Sequence, residues 1–193
     1  MRAVIFDLDN TLVDSNLDFA QIKAEIGTEQ TILEYRASVG EAEQHRVDDI
    51  LDRHESRSAA ECELADGARE MLDFLSAKNI PAALLTRNSR KSVNTILARH
   101  NIRFDYIVAR DDAPPKPSAE PVLLICKALG VKPAEALVVG DFLYDIQSGQ
   151  AAGTMTMLLD GPHRHRFEIE ADYEVASLRE AAEVIGRICE PEG

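Results

Sequence analysis

Two aspartates two positions apart, Asp7 and Asp9, end the apolar run that opens this chain. The run itself, residues 4–6, is apolar and β-prone and predicts a buried strand. A hydrophobic core has no need of carboxylates, and burying one without a partner is costly, so the pair indicates a metal, a cationic ligand or a solvent-filled opening. Because residues i and i+2 of a strand point the same way, we expect both carboxylates to meet one ligand. The alternative is a simple turn, in which Asp and Asn accept backbone hydrogen bonds.

Polar side chains also follow three later strands of the predicted fold. Thr86 ends the run 80–85, Lys116 lies in a proline-rich loop after 106–109, and Asp141 and Asp145 follow 136–139. Each has an ordinary alternative: a strand end, a solvated lysine, or a cap for the next helix. Carboxyl ends of parallel strands meet at one edge of a sheet, where α/β proteins bind their ligands. Several carboxylates with a lysine and a hydroxyl predict a site for a hard cation and a phosphate.

The elements that would position these residues alternate between strand and helix from residue 66 onward. Strands are predicted at 2–8, 80–85, 106–109, 136–139, 155–159 and 173–175, and helices at 67–78, 89–100, 118–129, 143–152 and 177–188. Strands separated by helices of this length favour an α/β fold with a Rossmann-like parallel sheet flanked by helices on both faces. Ser177 and Glu180 are spaced as a capping box for the last helix.

Residues 15–65 have a different texture, with no proline and apolar residues at helical spacing. They predict a small cap of two to four helices, with one helix beginning near Thr28. The predicted organisation is therefore a core domain of residues 1–14 and 66–193 and a helical cap domain of residues 15–65, inserted after the first strand.

The composition of the chain limits the kinds of partner that it is expected to bind. The net charge of −13 disfavours binding to nucleic acid and to an anionic membrane surface, and no uninterrupted apolar stretch of about 18 residues predicts a membrane span. The cysteines Cys62, Cys126 and Cys189 form no disulfide or zinc pattern, which favours a reducing, cytoplasmic setting. Monomer and homodimer both remain open.

Four motifs, in this order, resemble those of the haloacid dehalogenase superfamily of phosphatases, in the phosphoglycolate-phosphatase-like branch with a helical cap. They are Asp7-Leu8-Asp9-Asn10-Thr11, Leu84-Leu85-Thr86-Arg87-Asn88, Lys116-Pro117 and Gly140-Asp141-Phe142-Leu143-Tyr144-Asp145. The resemblance covers nearly the whole chain, although residues 15–65 are short for this branch. Asn10 stands where many relatives carry glycine, and we expect function to survive because Asn tolerates unusual backbone angles.

The resemblance implies a role for each carboxylate. Asp7 would be the nucleophile that forms an aspartyl-phosphate, and Asp9 the general acid and then the general base. Mg²⁺ would be held by Asp7, Asp141 and the backbone carbonyl of Asp9, with Asp145 binding through a water or orienting the other ligands.

The remaining motif residues would bind the substrate. Thr86 would hold a phosphoryl oxygen, and Lys116 would neutralise the nucleophile and the phosphate together. The backbone N–H groups near Asn88 and Ser89, at a helix start, suit an anion. Arg87 is equally consistent with a substrate contact and with a solvated side chain.

The expected function is hydrolysis of a small phosphorylated metabolite by a Mg²⁺-dependent phosphatase, with phosphoglycolate as the favoured substrate from resemblance. The alternatives are a phosphomutase similar to β-phosphoglucomutase, a signalling receiver, and a non-catalytic regulatory or binding protein. The basic cluster His163-Arg164-His165-Arg166 is interpreted as a solvated loop, with contact to an anionic partner and metal binding as the alternatives.

Overall fold

The structure is a computed structural model that describes residues 1–160 and 170–189. The basic cluster of residues 163–166 lies outside the described residues. The elements in chain order are β1 (Ala3–Phe6), β2 (Val13–Asp14), α1 (Phe19–Ile26), α2 (Ile32–Ser38), α3 (Glu41–Glu61), β3 (Glu63–Leu64), α4 (Ala68–Ala77), β4 (Ala82–Leu85), α5 (Arg90–His100), β5 (Tyr106–Val108), α6 (Glu120–Leu129), a 3₁₀ turn (Pro133–Glu135), β6 (Ala136–Gly140), α7 (Leu143–Ala152), β7 (Met155–Leu159), β8 (Tyr173–Val175) and α8 (Leu178–Cys189).

Six strands form one parallel sheet in the order β5-β4-β1-β6-β7-β8. β1 lies inside the sheet, and its Val4 is in register with Ala82 of β4 on one side and Leu137 of β6 on the other. The chain order reverses at β1, because β4 and β5 lie on one side of it and β6 to β8 on the other. Ligands of such sheets bind at this reversal, beyond the carboxyl ends of the strands. The predicted α/β fold with a Rossmann-like parallel sheet is confirmed.

The core consists of two apolar layers, one on each face of the sheet. Val4 and Phe6 of β1 belong to the layer under α4, α5 and α8, whereas Ile5 belongs to the layer under α6. This alternation follows from the two-residue period of a strand. Because both faces are covered by helices, the strands are apolar throughout, as the sequence pattern indicated.

Three helices, α1 to α3, are inserted between β2 and β3, which pair antiparallel through Val13 and Leu64. The buried apolar residues of these inserted helices form a cluster of their own, which includes Ile22, Val47 and Ile50. Three helices agree with the predicted two to four, but α2 begins at Ile32 after Thr31, so the predicted start at Thr28 was wrong. The short β2–β3 pair was not predicted, because two-residue strands leave no periodicity to detect.

The first strand is shorter than predicted. It ends at Phe6, and the carbonyl of Leu8 accepts hydrogen bonds from the N–H groups of Thr11, Leu12 and Val13. Asp7 and Asp9 therefore lie in the loop after β1, and strand alternation is not what orients them. Asn10 in this turn has a left-handed backbone with φ of 60°, the conformation that Asn tolerates best after Gly. Among residues 1–160 and 170–189, no helix combines the length and the apolar character of a membrane span.

Candidate active site

Lys116 links two carboxylates that come from different strand ends. Its Nζ donates to Asp7 Oδ1 at 2.5 Å, to Asp145 Oδ1 at 2.5 Å and to the carbonyl oxygen of Leu85 at 3.1 Å. All three side chains are buried. Residues 7, 116 and 145 are far apart in the chain and meet here because the loops after β1 and β5 and the first turn of α7, which follows β6, share one edge of the sheet.

Asp145 serves two purposes with its two oxygens. Oδ1 accepts from Lys116, whereas Oδ2 accepts from the backbone N–H of Phe142 at 3.1 Å at the start of α7. The interpretation of Asp145 as a helix cap is therefore confirmed, and its role as a site residue stays a prediction that its contact with Lys116 supports. Gly140 makes this placement possible, because a Cβ added there would overlap the Asp145 side chain.

The carboxylates of Asp7, Asp141 and Asp145 form a group that could hold a metal ion, with one oxygen from each within 4.8 Å of the others. Three carboxylates and the Lys116 ammonium leave a formal excess of two negative charges in a buried region. One divalent cation would cancel that excess, and carboxylate oxygens are the ligands that Mg²⁺ prefers. The residues therefore fit the cation that the sequence predicts.

The crowding of these charges alters their protonation. Burial raises the pKa of Asp7 well above its ordinary value, and the neighbouring Lys116 opposes the rise. Burial, followed by the charge of Asp145, raises the pKa of Asp141 to about 7. Burial alone would lower the pKa of Lys116, but the carboxylates of Asp145 and Asp7 outweigh it and hold that pKa above its usual range. The cluster thus has too much negative charge for its one lysine.

Asp9 follows Asp7 in the loop after β1 and is not a member of this carboxylate group. Its carboxylate accepts from the side-chain amide of Asn88 at 3.2 Å. Burial raises the pKa of Asp9 to about 6; the Asn88 hydrogen bond lowers it and the nearby Glu55 carboxylate raises it. A carboxyl group with a pKa near 6 can hold or release a proton close to neutral pH, which suits a general acid and base.

Thr86 is buried at the end of β4, and its Oγ1 accepts from the N–H of Asn88 at 3.0 Å. The next N–H, that of Ser89, donates to Asn88 Oδ1 at 2.8 Å and to Glu55 Oε2 at 3.1 Å. The N–H groups of Asn88 and Ser89 have acceptors within the protein, and the expectation that they suit an anion stays a prediction. One of these acceptors is a carboxylate from α3.

The guanidinium of Arg87 joins the inserted helices to the loop that carries Lys116. It donates to both oxygens of Glu34 in α2, at 2.8 and 3.0 Å, and to the carbonyl oxygen of Lys116 at 3.0 Å. It also lies over the ring of Tyr144, 4.6 Å from the ring centroid. Arg87 is therefore not a simple solvated arginine, and its proposed contact with substrate remains a prediction.

Glu55 and Arg110 form a buried ion pair beside the site that sequence reasoning missed. The pair joins α3 to the loop after β5, and the side chains are only 5% and 12% exposed. Arg110 lies two residues after the end of strand β5, where site residues often lie, and this position was the one available signal. Glu55 is one of many acids in a strongly polar helix, so nothing in the sequence distinguished it.

A cavity of about 390 Å³ lies between these strand ends and the inserted helices. Every predicted site residue lines it: Asp7, Asp9, Thr86, Arg87, Asn88, Lys116, Asp141 and Asp145. The rest of the lining comes mainly from α1, α2, α3 and the residues that precede α1 and α2. The structure thus places a carboxylate nucleophile candidate, a group that could hold a metal and a lysine around one cavity.

A known protein family matches the part of the chain that carries this site. The family model of the haloacid dehalogenase-like hydrolases matches residues 1–153. This chain belongs to that family. The matched segment contains the whole candidate site and the inserted helices, and the resemblance predicted from the four motifs is confirmed.

Curated relatives share most of their length with this hydrolase. A haloacid dehalogenase-like hydrolase domain-containing protein of Arabidopsis thaliana is 31% identical over 92% of this chain and 81% of its own. A phosphoglycolate phosphatase of Chromobacterium violaceum is 29% identical over 93% and 94% of the two chains. An N-acetylmuramic acid 6-phosphate phosphatase of Pseudomonas aeruginosa is 30% identical over 97% and 96%. Among solved structures, a hydrolase from Pseudomonas syringae superposes with a TM-score of 0.82 over 98% of this chain and 100% of its own, at 18% identity, and so shares the fold.

Proposed function

We propose that this hydrolase is a Mg²⁺-dependent phosphatase that cleaves a small phosphomonoester through an aspartyl-phosphate intermediate. The observation that carries the proposal is the buried group of Asp7, Asp141 and Asp145 with Lys116 bound to two of its members. Its net charge suits one divalent cation, and a cation and a lysine together suit a phosphate dianion. The names of the two bacterial relatives support the same reaction class.

In the first step the Asp7 carboxylate attacks the phosphorus atom, and the bond from phosphorus to the ester oxygen breaks. Asp9 gives its proton to the departing alkoxide, which leaves as the alcohol. Thr86 donates its hydroxyl hydrogen to a phosphoryl oxygen, and the Lys116 ammonium holds the Asp7 carboxylate in position and offsets its charge. The Asp7 carboxylate is then an acyl phosphate.

In the second step Asp9, now ionised, takes a proton from a water molecule as that water attacks the phosphorus of the acyl phosphate. The bond from phosphorus to Asp7 breaks, inorganic phosphate is released, and the Asp7 carboxylate and protonated Asp9 are regenerated. Water thus supplies the oxygen and the protons that balance the cycle.

The cation would be held by Asp7 and Asp141, together with the backbone carbonyl of Asp9, while Asp145 orients them through its bonds to Lys116 and Phe142. When bound, Mg²⁺ supplies the positive charge that lets an anionic nucleophile approach an anionic phosphate.

The inserted helices would act as a cap domain, comprising residues 15–65, over a core domain of residues 1–14 and 66–193. They form part of the wall of the cavity, which is where they would contact the leaving alcohol. Phosphoglycolate is the first ester to test because a relative carries that name. The substrate would be a phosphorylated metabolite of the cytoplasm, a setting that agrees with three free cysteines.

The direct test is phosphate release from a panel of phosphomonoesters, with and without Mg²⁺, for the natural chain and for Asp7→Asn. We expect metal-dependent release that falls by roughly 10⁴-fold or more in the variant. Asp14→Asn, an exposed aspartate of β2, is the matched control and should retain activity. Appreciable release by Asp7→Asn would remove Asp7 from the nucleophile role. Absence of release from every ester would reject the phosphatase and favour a phosphomutase or a regulatory protein.

A further inference from the structure

The wall of the cavity that the inserted segment forms is mainly apolar. Eight residues of the inserted segment line it, of which three are polar, Lys23, Thr31 and Glu55, and five are apolar, Leu17, Phe19, Ile32, Leu33 and Leu51. From the core side, Phe142 and Tyr144 line it as well, with their rings edge to face and their centroids 5.1 Å apart. Phosphate chemistry does not require such a wall, so it indicates something about the rest of the substrate.

Phe19 is the large apolar side chain of this wall that is most exposed. Among residues 1–160 and 170–189, two large apolar side chains are exposed, Phe19 at 48% and Leu123 at 43%. Leu123 lies on α6 and does not line the cavity, whereas Phe19 lines it at the start of α1. A ligand that covers an exposed aromatic ring in a cavity removes apolar surface from water, and this stabilises the complex.

In the part of the chain that the structure describes, most cationic side chains that line the cavity are already paired with carboxylates. Arg87 is paired with both oxygens of Glu34, and Arg110 is paired with Glu55. Lys23 remains, and its Nζ makes a long contact of 3.5 Å with the carbonyl oxygen of Glu29. A second anionic group on the substrate would have to break one of these ion pairs or rely on Lys23 alone.

We propose that the alcohol esterified in the substrate is uncharged and carries an apolar ring that packs against Phe19 and its neighbours in this wall. The proposal rests on the proposed phosphatase function and names its substrate class. The cavity volume of about 390 Å³ agrees with it, because pockets of roughly 300–1,000 Å³ hold ligands much larger than a phosphorylated two-carbon acid. The expectation of phosphoglycolate as the favoured substrate would then be wrong at the level of the leaving group.

The test separates binding of the leaving group from turnover. Benzylphosphonate, ethylphosphonate and phosphonoacetate present a ring, a short neutral chain and a carboxylate, and none can be hydrolysed at its carbon–phosphorus bond. Their affinities for the natural protein with Mg²⁺ are measured by calorimetry. We expect benzylphosphonate to bind about 10-fold more tightly than ethylphosphonate, because the ring buries more apolar area. Phosphonoacetate should bind no more tightly than ethylphosphonate.

Two variants assign the preference to the wall. Phe19→Ala should reduce the ratio of benzyl to ethyl affinity by about 3-fold or more, whereas Leu123→Ala, an exposed apolar residue outside the cavity, should leave it unchanged. Equal affinity for the ring and the short chain would overturn the proposal. So would tightest binding of phosphonoacetate, and loss of that binding in Lys23→Gln would identify Lys23 as the carboxylate partner.

Turnover of benzyl phosphate and ethyl phosphate, measured alongside, tests the phosphatase function separately from the substrate class. Hydrolysis without a ring preference would leave the phosphatase standing and reject the substrate class. A ring preference in binding, with no hydrolysis of either ester or of phosphoglycolate, would support the apolar wall and reject the phosphatase.

Discussion

Arg87 and Glu34 hold α2 against the loop that carries Lys116. Both carboxylate oxygens of Glu34 accept from Arg87 Nη2, at 2.8 and 3.0 Å, while Arg87 Nη1 donates to the carbonyl oxygen of Lys116. The residue before Pro117 is therefore connected to an inserted helix through one guanidinium. Because Thr31, Ile32 and Leu33 at the start of α2 line the cavity, this ion pair positions part of its wall.

Glu34→Gln should weaken substrate binding more than it weakens the fold. The side chains of the pair are 22% and 42% exposed, so solvent screens it and the free energy of unfolding should fall by only about 0.2–1 kcal/mol. We expect KM for the best ester to rise by roughly 2- to 5-fold with kcat unchanged, since a looser α2 disturbs the wall and leaves the reacting groups in place. Steady-state kinetics and urea unfolding measure the two effects, with the exposed Glu41→Gln as the charge-matched control. An unchanged KM would show that the pair does not position the wall.

Much of the site was predictable because the carboxyl ends of parallel strands must meet. The alternation of strands and helices predicted a parallel sheet. Asp7, Lys116 and Asp145 lie together at the edge of that sheet where the carboxyl ends of the strands meet. The direction of Asp7 and Asp9 was inferred for the wrong reason, because β1 ends at Phe6 and a turn orients them. Strand length depends on where hydrogen bonding to neighbours stops, and a single sequence does not show this.

The contacts between the inserted helices and the sheet were not predictable from the residues alone. Glu55 sits on a helix whose many charged residues all fit a solvated face, and only the packing of α3 against α5 places it at the N–H of Ser89. Such a contact depends on the angle between two helices, which side-chain packing sets and periodicity does not record. The helices and strands that form can be predicted from the sequence, whereas the way in which the inserted helices pack on the sheet domain cannot.

Mg²⁺ should stabilise the protein more at pH 8 than at pH 5. The pKa values of Asp9 and Asp141 are raised from the ordinary value of 3.8 to about 6 and about 7 in the folded state. Between pH 3.8 and about pH 7 the folded state therefore binds more protons than the unfolded state. The contribution of these groups to the free energy of unfolding falls as the pH rises through this range. Mg²⁺ binds the ionised carboxylate of Asp141 and offsets the loss from that group, most fully above pH 7.

Thermal unfolding with and without Mg²⁺ across pH 5 to 8 measures this linkage. The increase in Tm caused by the metal should grow with pH and should be much smaller in Asp141→Asn at pH 8. An increase that is the same at every pH would show that Asp141 does not release a proton to bind the metal.

Glu55→Gln should destabilise the fold substantially because it leaves Arg110 without its counter-charge. Arg110 is 12% exposed and also donates to the carbonyl oxygen of Arg87 at 3.1 Å. Removing one partner of a largely buried pair costs about 3 kcal/mol of unfolding free energy, measured by urea denaturation. The exposed pair of Asp66 and Arg179, at 84% and 68%, is the control; Asp66→Asn should change the value by less than about 1 kcal/mol.

The pairing itself is tested with a double variant. Glu55→Leu combined with Arg110→Met removes both charges, so its loss of stability should be smaller than the sum of the two single losses. Additive losses would mean that Glu55 and Arg110 act independently, through separate contacts with the sheet edge.

Gly140→Ala should damage the metal group while leaving the sheet formed. A Cβ at residue 140 would overlap the Asp145 side chain, so Asp145 would have to leave Lys116 and the N–H of Phe142. Loss of such a supporting residue typically lowers metal affinity or activity by about 10- to 100-fold, and a Mg²⁺ titration of phosphate release measures it. Gly186→Ala is the matched control: its added Cβ would meet nothing closer than Phe74 Cζ at 3.9 Å, and alanine within α8 should raise the free energy of unfolding by about 0.5–1 kcal/mol. Full Mg²⁺ activation of Gly140→Ala would show that Asp145 can orient the metal ligands from another position, and that glycine at the end of β6 serves strand packing alone.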